Sequence, residues 1–424
     1  MNLLKKSRLG ELIEVTRGAS LSGEYYSTKG EYIRLTCGNF DYHNNCFKEN
    51  TSKDNLFYTG EFREEFLLEK GDIITPLTEQ AIGLLGTTAR IPKSGKYIQS
   101  QDIALVKCKA GKIDPTFCYY LISSRLVRNQ LSAAAQQTKI RHTSPDKIKD
   151  CTVWIPELDD QKAIGRLLAS LDEKIQLNKR INDNLEAMAK QLYDYWFVQF
   201  DFPNEKGKPY KSSGGAMAYN ERLKREIPVG WQCCCVNNLC EINKKAISKG
   251  EYHHIEYLDT GSITQGYINH TEYYRVNAAP SRAQRKVEDM TIIYSSVRPK
   301  LLHYGVLSMP KENFIVSTGF ITLDAKNKIM ALMVYYFLTS DIVTRYLASI
   351  ADTAVSSYPS INPEDVAYLD VVLPNKDTIK KFNDIVEPMF RKMSKLRNEI
   401  AVLTKQRDEL LPLLMNGQAS VNSD

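Results

Sequence analysis

Apolar residues recur at every seventh position along two long stretches of the chain. From Ile164 the steps reach Leu171, Asn178, Leu185 and Leu192, and from Leu168 they reach Ile175, Asn182, Ala189 and Trp196. The later stretch carries Phe382, Met389, Leu396, Leu403 and Leu410 on one track, and Val386, Met393, Ile400, Arg407 and Leu414 on the other. Such strict spacing predicts two helices with coiled-coil seams, over 158–200 and 375–416, expected to pair with each other. Asn178, Asn182 and Arg407 interrupt the seams. They either fix the register as buried polar groups or drift to the solvent edge. At ~1.5 Å per residue, each helix makes a strut of roughly 60 Å.

The remaining pattern occurs twice. Tyr97-Ile98 and Ser100 open an apolar run ending at Val106, followed by Tyr119-Tyr120-Leu121, Ser144-Pro145-Asp146 and Val153-Trp154-Ile155-Pro156. About 217 residues later, Phe314-Ile315 and Ser317 open the run ending at Leu323, followed by Tyr335-Tyr336-Phe337, Asn362-Pro363-Glu364 and Val371-Val372-Leu373-Pro374. This period is far longer than the roughly 20–50 residues of a solenoid unit, so two whole domains of one type are expected, at 1–157 and 231–374. Short β-rich runs such as 31–35 and 72–76, a helical stretch over 115–135, and Ser144 and Asn362 as caps before proline make each an α+β globule. Residues 201–230, rich in Gly, Lys, Ser and Pro, are expected to form a surface connector. An antiparallel helix pair would set the two domains at opposite ends of the strut, related by a pseudo-dyad.

Composition adds limits. Apolar content of 43% and charged content of 25% are those of an ordinary globular protein. Net charge is +6, with 22 Lys and Arg against 18 Asp and Glu over 1–157, but 13 against 14 over 231–374. Any phosphate-binding surface in the second domain must therefore come from arrangement. The start of the chain lacks an apolar signal core and no run is long enough to span a bilayer, so a cytoplasmic protein without a membrane partner is expected. Nine scattered cysteines read as reduced thiols. Cys233-Cys234-Cys235 with Cys240 reads as a buried strand, because adjacent thiolates rarely converge on one ion.

Catalytic patterns are missing. The chain has no Gly-rich phosphate loop, no Gly-x-Ser-x-Gly elbow and no Pro-Pro pair of the amino-methyltransferase tetrapeptide. His253-His254 and His270 lack metal-ligand spacing. Pro145-Asp146 with Lys147 and Lys149 is similar to a nuclease cluster, but Pro363-Glu364-Asp365 fills the same slot in the second copy, where capping explains both. Two unlike homologous domains on a stiff strut suit the reading of two separated sites on duplex DNA. A self-sufficient DNA methyltransferase or nuclease is the alternative. A coiled-coil adaptor without nucleic acid would explain the strut but not the repeated domains.

Residues 156–164, Pro-Glu-Leu-Asp-Asp-Gln-Lys-Ala-Ile, resemble the entry into the conserved helix of type I restriction-modification specificity subunits. Residues 192–203, with Trp196-Phe197-Val198-x-Phe200-Asp201 as their most specific part, and then Gly230-Trp231, are similar to its exit. The resemblance covers essentially the whole chain; a departure is Pro374-Asn375-Lys376-Asp377, which lacks the Glu-Gln pair. It implies an α+β fold of two homologous α/β target-recognition domains separated by a pair of long antiparallel coiled-coil helices. Each domain would read half of a bipartite double-stranded DNA site, and the helices would set the spacing and dock two methyltransferase (modification) subunits. Restriction/translocase subunits would join that core. The resemblance implies no catalytic residue and no cofactor on this chain, with S-adenosylmethionine, ATP and Mg on the partners.

In each copy a polar segment precedes the Ser/Asn-Pro cap, and the resemblance places a DNA-facing loop there. Gln137, Thr138, Lys139, Arg141 and His142 are the candidates in the first domain, with Ser356, Ser357 and Tyr358 in the second. Lys and Arg suit phosphate or guanine, Gln suits adenine, and hydroxyls suit either role. Secondary candidates are Arg34, Thr36 and Asn39, with Thr260 and Ser262 in the matching turn, and Arg298 and Lys300 as a phosphate clamp.

Overall fold

The computed structural model describes residues 4–79, 83–134, 141–353 and 359–421. The chain forms two compact units, one from Met1–Gln176 with Ala401–Asp424 and the other from Leu177–Ile400.

The first unit is built on an antiparallel sheet in the order Ala89–Arg90, Ile73–Pro76, Ile103–Cys108, Ile13–Arg17. Successive side chains of a strand point to opposite faces. Ile73, Ala104 and Val106 accordingly meet a helical layer with Phe117, Leu121 and Val127. Ile74, Ile103 and Leu105 meet Leu35, Leu68 and Tyr97 on the other side. Both faces of the central strands are covered, which is why Ile103–Cys108 begins as an unbroken apolar run. The second sheet has the order Tyr97–Ile98, Tyr32–Arg34, Phe57–Tyr58, Tyr26–Ser27, with its first pair parallel.

The second unit repeats this plan. Its central sheet runs Cys240–Ile242, Phe320–Ala325, Ile292–Ser295, Tyr304–Val306. Ile292 and Tyr294 face the helical layer, whereas Ile293 and Phe320 face the second sheet, where Phe314–Ser317 lies parallel to His254–Leu258. In each unit an early strand pairs with a late one, Lys5–Arg8 with Thr152–Ile155 and Gln232–Cys235 with Asp370–Leu373. The fold is α+β, with two homologous α/β domains and two long helices, as the pattern implied.

The helical stretch of each copy is two helices rather than one: Pro115–Ser123 and Arg125–Ala134, then Ala331–Leu338 and Asp341–Thr353. Hydroxyl residues stand at both breaks and compete for the helix carbonyls. Ser123 Oγ donates to Tyr120 O at 3.0 Å, and Ser340 Oγ donates to Phe337 O at 2.8 Å. Ser144 caps the short helix that follows, accepting from Lys147 N at 3.3 Å. In the second copy Asp365 accepts from Asn362 N at 2.7 Å.

The first long helix spans Leu158–Tyr193 and ends in a π-helical turn, Asp194–Val198; the second spans Lys376–Met415. Gln161 anchors the first at its entry. Its Oε1 accepts from Asp114 N at 3.0 Å and its Nε2 donates to Pro156 O at 2.9 Å. Within the first unit Ile164 and Leu168 share a core with Leu414 and Met415, and Arg407 pairs with Asp172. Within the second, Ala189 and Trp196 share a core with Phe382 and Val386, and Arg397 pairs with Glu186. Low numbers on one helix meet high numbers on the other in both units, so the pairing is antiparallel. Asn178, Asn182 and Arg407 are 2%, 0% and 7% exposed. They lie inside the seam, not at its solvent edge.

Residues 201–230, expected to form a surface connector, carry structure of their own. Met217–Asn220 pairs with Arg225–Pro228, and Asp201 accepts from Ser212 N at 2.7 Å and Ser212 Oγ at 2.6 Å. Phe202 stacks on Tyr210 and Trp231 with ring centroids 4.6 and 4.7 Å apart. Widely spaced aromatics with no period of their own join this segment to the core of the second unit, which is why the pattern hid it.

Candidate nucleic-acid interface

In the first unit the chain leaves strand Ile73–Pro76 through Leu77 into Thr78–Glu79. That pair is joined antiparallel by Arg141–His142, with Arg141 opposite Glu79 and His142 opposite Thr78. Thr143 N donates to Leu77 O at 2.8 Å and fixes the register. Arg141 and His142 are therefore strand residues, a correction to the polar loop expected there. Gln137, Thr138 and Lys139 lie outside the described residues, as do Ser356, Ser357 and Tyr358.

Beneath this crossing lies a polar network. Glu79 Oε1 accepts from Gly83 N at 2.7 Å and from Leu84 N at 3.1 Å. Its side chain is 2% exposed, and Oε2 has no hydrogen bond among the described residues, but Arg141 Nη1 lies 3.6 Å away. The Arg141 side chain is 41% exposed, so it remains accessible beside the buried carboxylate. His142 is exposed. Deeper, Arg128 reaches Asn45 Oδ1 at 3.3 Å and Gly83 O at 3.4 Å, and burial pulls its pKa down. Glu79, Arg128 and Asn45 carry no signal in the sequence, since only the tertiary crossing brings them together.

The second unit makes the same crossing. Val297 bridges Ser360 antiparallel, Arg298 N donates to Pro359 O at 2.9 Å, and Ile361 N donates to Ser296 O at 2.8 Å. The last bond is the counterpart of Thr143 to Leu77, so Arg298 occupies the step that Glu79 holds in the first unit. Arg298 is exposed and left-handed at φ +48°, opening the turn Pro299–Leu301. Lys300 Nζ donates to Asp352 Oδ2 at 2.7 Å on the surface.

The secondary candidates of the first unit hold the fold. Arg34 is 7% exposed, its guanidinium 3.7 Å from the centroid of the Tyr26 ring and its Nη2 donating to Asn55 O at 3.2 Å. Asn39, 2% exposed, accepts from Thr36 N at 2.9 Å and donates to Lys48 O at 3.3 Å. Thr36 Oγ1 accepts from Gly38 N at 3.2 Å. Burial leaves Arg34 and Asn39 no edge for a base, which corrects their assignment as readers. In the matching turn Asp259 accepts from Gly261 N and Ser262 N, both at 2.8 Å, with Thr260 and Ser262 half-buried.

Cys233, Cys234 and Cys235 form a strand as expected, but a half-buried one, and Cys235 Sγ accepts from Arg222 Nη2 at 2.7 Å. Among the described residues no group of three or more His, Cys, Asp or Glu is arranged to hold a metal ion, and no helix is long and apolar enough to cross a membrane. Asp146 pairs with Lys149 at 2.7 Å on the exposed side of its short helix.

Residues 1–187 match the family model of the type I restriction modification DNA specificity domain. The chain is 22% identical over 314 residues to the type I restriction enzyme MjaIX specificity subunit of Methanocaldococcus jannaschii, an alignment covering 72% of this chain and 69% of that one. It is 27% identical over 139 residues to the HindI specificity subunit of Haemophilus influenzae, covering 32% and 30% of the two chains. In fold it is similar to the crystal structure of the type I restriction-modification S subunit from M. genitalium, with a TM-score of 0.62 and 16% identity over 98% of this chain and 96% of that one. The resemblance to type I restriction-modification specificity subunits thus holds in both sequence and fold.

Proposed function

We propose that this chain is the DNA-specificity subunit of a type I restriction-modification complex. Each unit reads one half of a bipartite double-stranded DNA site, and the antiparallel helices set the distance between halves and dock two methyltransferase subunits. Restriction/translocase subunits complete the assembly. On this reading the chain catalyses nothing itself, and S-adenosylmethionine, ATP and Mg belong to its partners.

The observation that carries this reading is the recurrence of one strand crossing with different side chains: Thr78–Glu79 against Arg141–His142, and Val297 against Ser360. A shared scaffold with unlike residues at its rim is what two readers of unlike half-sites require. The test is methyl transfer from labelled S-adenosylmethionine to DNA. The purified chain alone should transfer none, and the chain with methyltransferase subunits should modify one bipartite sequence, mapped by its methylated bases. Transfer by the chain alone would favour the self-sufficient methyltransferase instead.

A further inference from the structure

We infer that Arg141 reads a guanine in the first half-site and that Glu79 is the residue that positions it, an inference resting on the function proposed above. Glu79 cannot turn away, because its Oε1 is held by the amides of Gly83 and Leu84. The strand pairing sets Arg141 directly opposite, with Nη1 3.6 Å from Oε2. The fixed carboxylate biases the guanidinium toward this position by charge attraction, without a hydrogen bond that would occupy its donors, which lowers the entropy lost when the fork binds a base.

Charge decides what the fork takes. A carboxylate beside the guanidinium cancels much of its attraction for an anionic phosphate and repels the phosphate itself. Guanine is neutral and presents O6 and N7, the acceptor pair that fits an arginine fork in the major groove. The second unit supplies the contrast. At the step equivalent to Glu79 it carries Arg298, exposed and without a side-chain partner among the described residues. No carboxylate is paired with it among the described residues, so Arg298 takes a phosphate.

The test uses the complex of this chain with its methyltransferase subunits, selecting duplexes with randomised half-sites. The parent selects an invariant guanine in the first half-site, and replacing it with 7-deazaguanine weakens binding about tenfold or more. With Arg141→Ala that position becomes degenerate and insensitive to 7-deazaguanine, while the salt dependence of binding stays as in the parent. Arg298→Ala instead leaves both selected sequences unchanged and lowers the salt slope by about one. Glu79→Gln keeps an oxygen for the Gly83 and Leu84 amides and removes only the charge, so it weakens the guanine preference and raises the salt slope; Glu79→Asp restores both. A merely structural role for Glu79 would not raise the slope. Arg141→Gln guards against misfolding of the alanine variant and loses the guanine preference as well, since an amide suits adenine. Selection of the same guanine by Arg141→Ala and Arg141→Gln, or a fall in salt slope with Arg141→Ala, overturns the inference. A parent complex that selects no sequence overturns the proposed function instead.

Discussion

Arg407 of the second long helix donates from Nη1 to Asp172 Oδ1 of the first at 2.9 Å, and Tyr120 donates its hydroxyl to the other oxygen of that carboxylate at 2.6 Å. One carboxylate thus ties both long helices to the helical layer of the first unit. Burial, then the charge of Asp172, pushes the Tyr120 pKa well up, so the phenol stays a donor at any ordinary pH. Arg407→Ala is expected to cost about 2–4 kcal/mol, because it strips a half-buried carboxylate of its cation. Arg407→Leu combined with Asp172→Asn should recover part of the loss. Denaturant unfolding of the three variants checks this, and equal stability of Arg407→Ala and parent would refute it.

The two seam asparagines are expected to behave oppositely. Asn182 donates from Nδ2 to the Tyr267 hydroxyl, a bond its replacement would lose although its Oδ1 is buried without a partner among the described residues, whereas Asn178 Nδ2 is buried with no partner among them. Asn178→Leu should therefore stabilise by about 1 kcal/mol, and Asn182→Leu should destabilise by about 1–2 kcal/mol. Thermal melting of both variants reads the difference in sign.

Acid should loosen the second unit through Asp289. Arg391 grips it with two bonds, Nη1 to Oδ1 at 2.6 Å and Nη2 to Oδ2 at 2.7 Å. The Arg391 bonds hold the Asp289 pKa below its usual value, despite the opposing effect of burial. A carboxyl depressed on folding contributes stability that is complete above its unfolded pKa of about 3.9 and is lost as pH falls through the folded value. Asp289→Asn is expected to melt lower than the parent at pH 7, with the gap closing below about pH 4. A gap independent of pH would contradict this.

Phe382→Ala should cost about 3–5 kcal/mol. The ring is fully buried and meets Phe197 and Trp196 with centroids 4.8 and 5.9 Å apart. Trp196 fluorescence should shift to the red in the native variant as water enters, and an unchanged spectrum with unchanged stability would rule this packing out.

The helices and the duplicated domains were legible because their signals are periodic. A seam residue must return every seven positions to meet its partner, and a duplicated domain repeats its order of strands and caps. The site was legible only in part. Arg34 reads as a surface cation, yet Tyr26 takes its guanidinium face, a contact that no local pattern encodes. Glu79 and Arg141 are far apart in sequence and meet only because the helical layer returns the chain to the sheet edge. The packing of Phe202, Tyr210 and Trp231 leaves no mark in the pattern for a related reason, since these rings follow no single helix or strand face.

The packing of Leu414 and Met415 against Ile164 and Leu168 sets a timetable for biosynthesis. The ribosome finishes the first unit's own sheet and helices long before it makes the residues that cover their remaining apolar edge. At about 5–20 residues per second, the interval between synthesis of Leu168 and of Leu414 is on the order of ten to fifty seconds. For that time the apolar edge that Leu414 and Met415 later cover stays open on the nascent chain, a natural contact for chaperones.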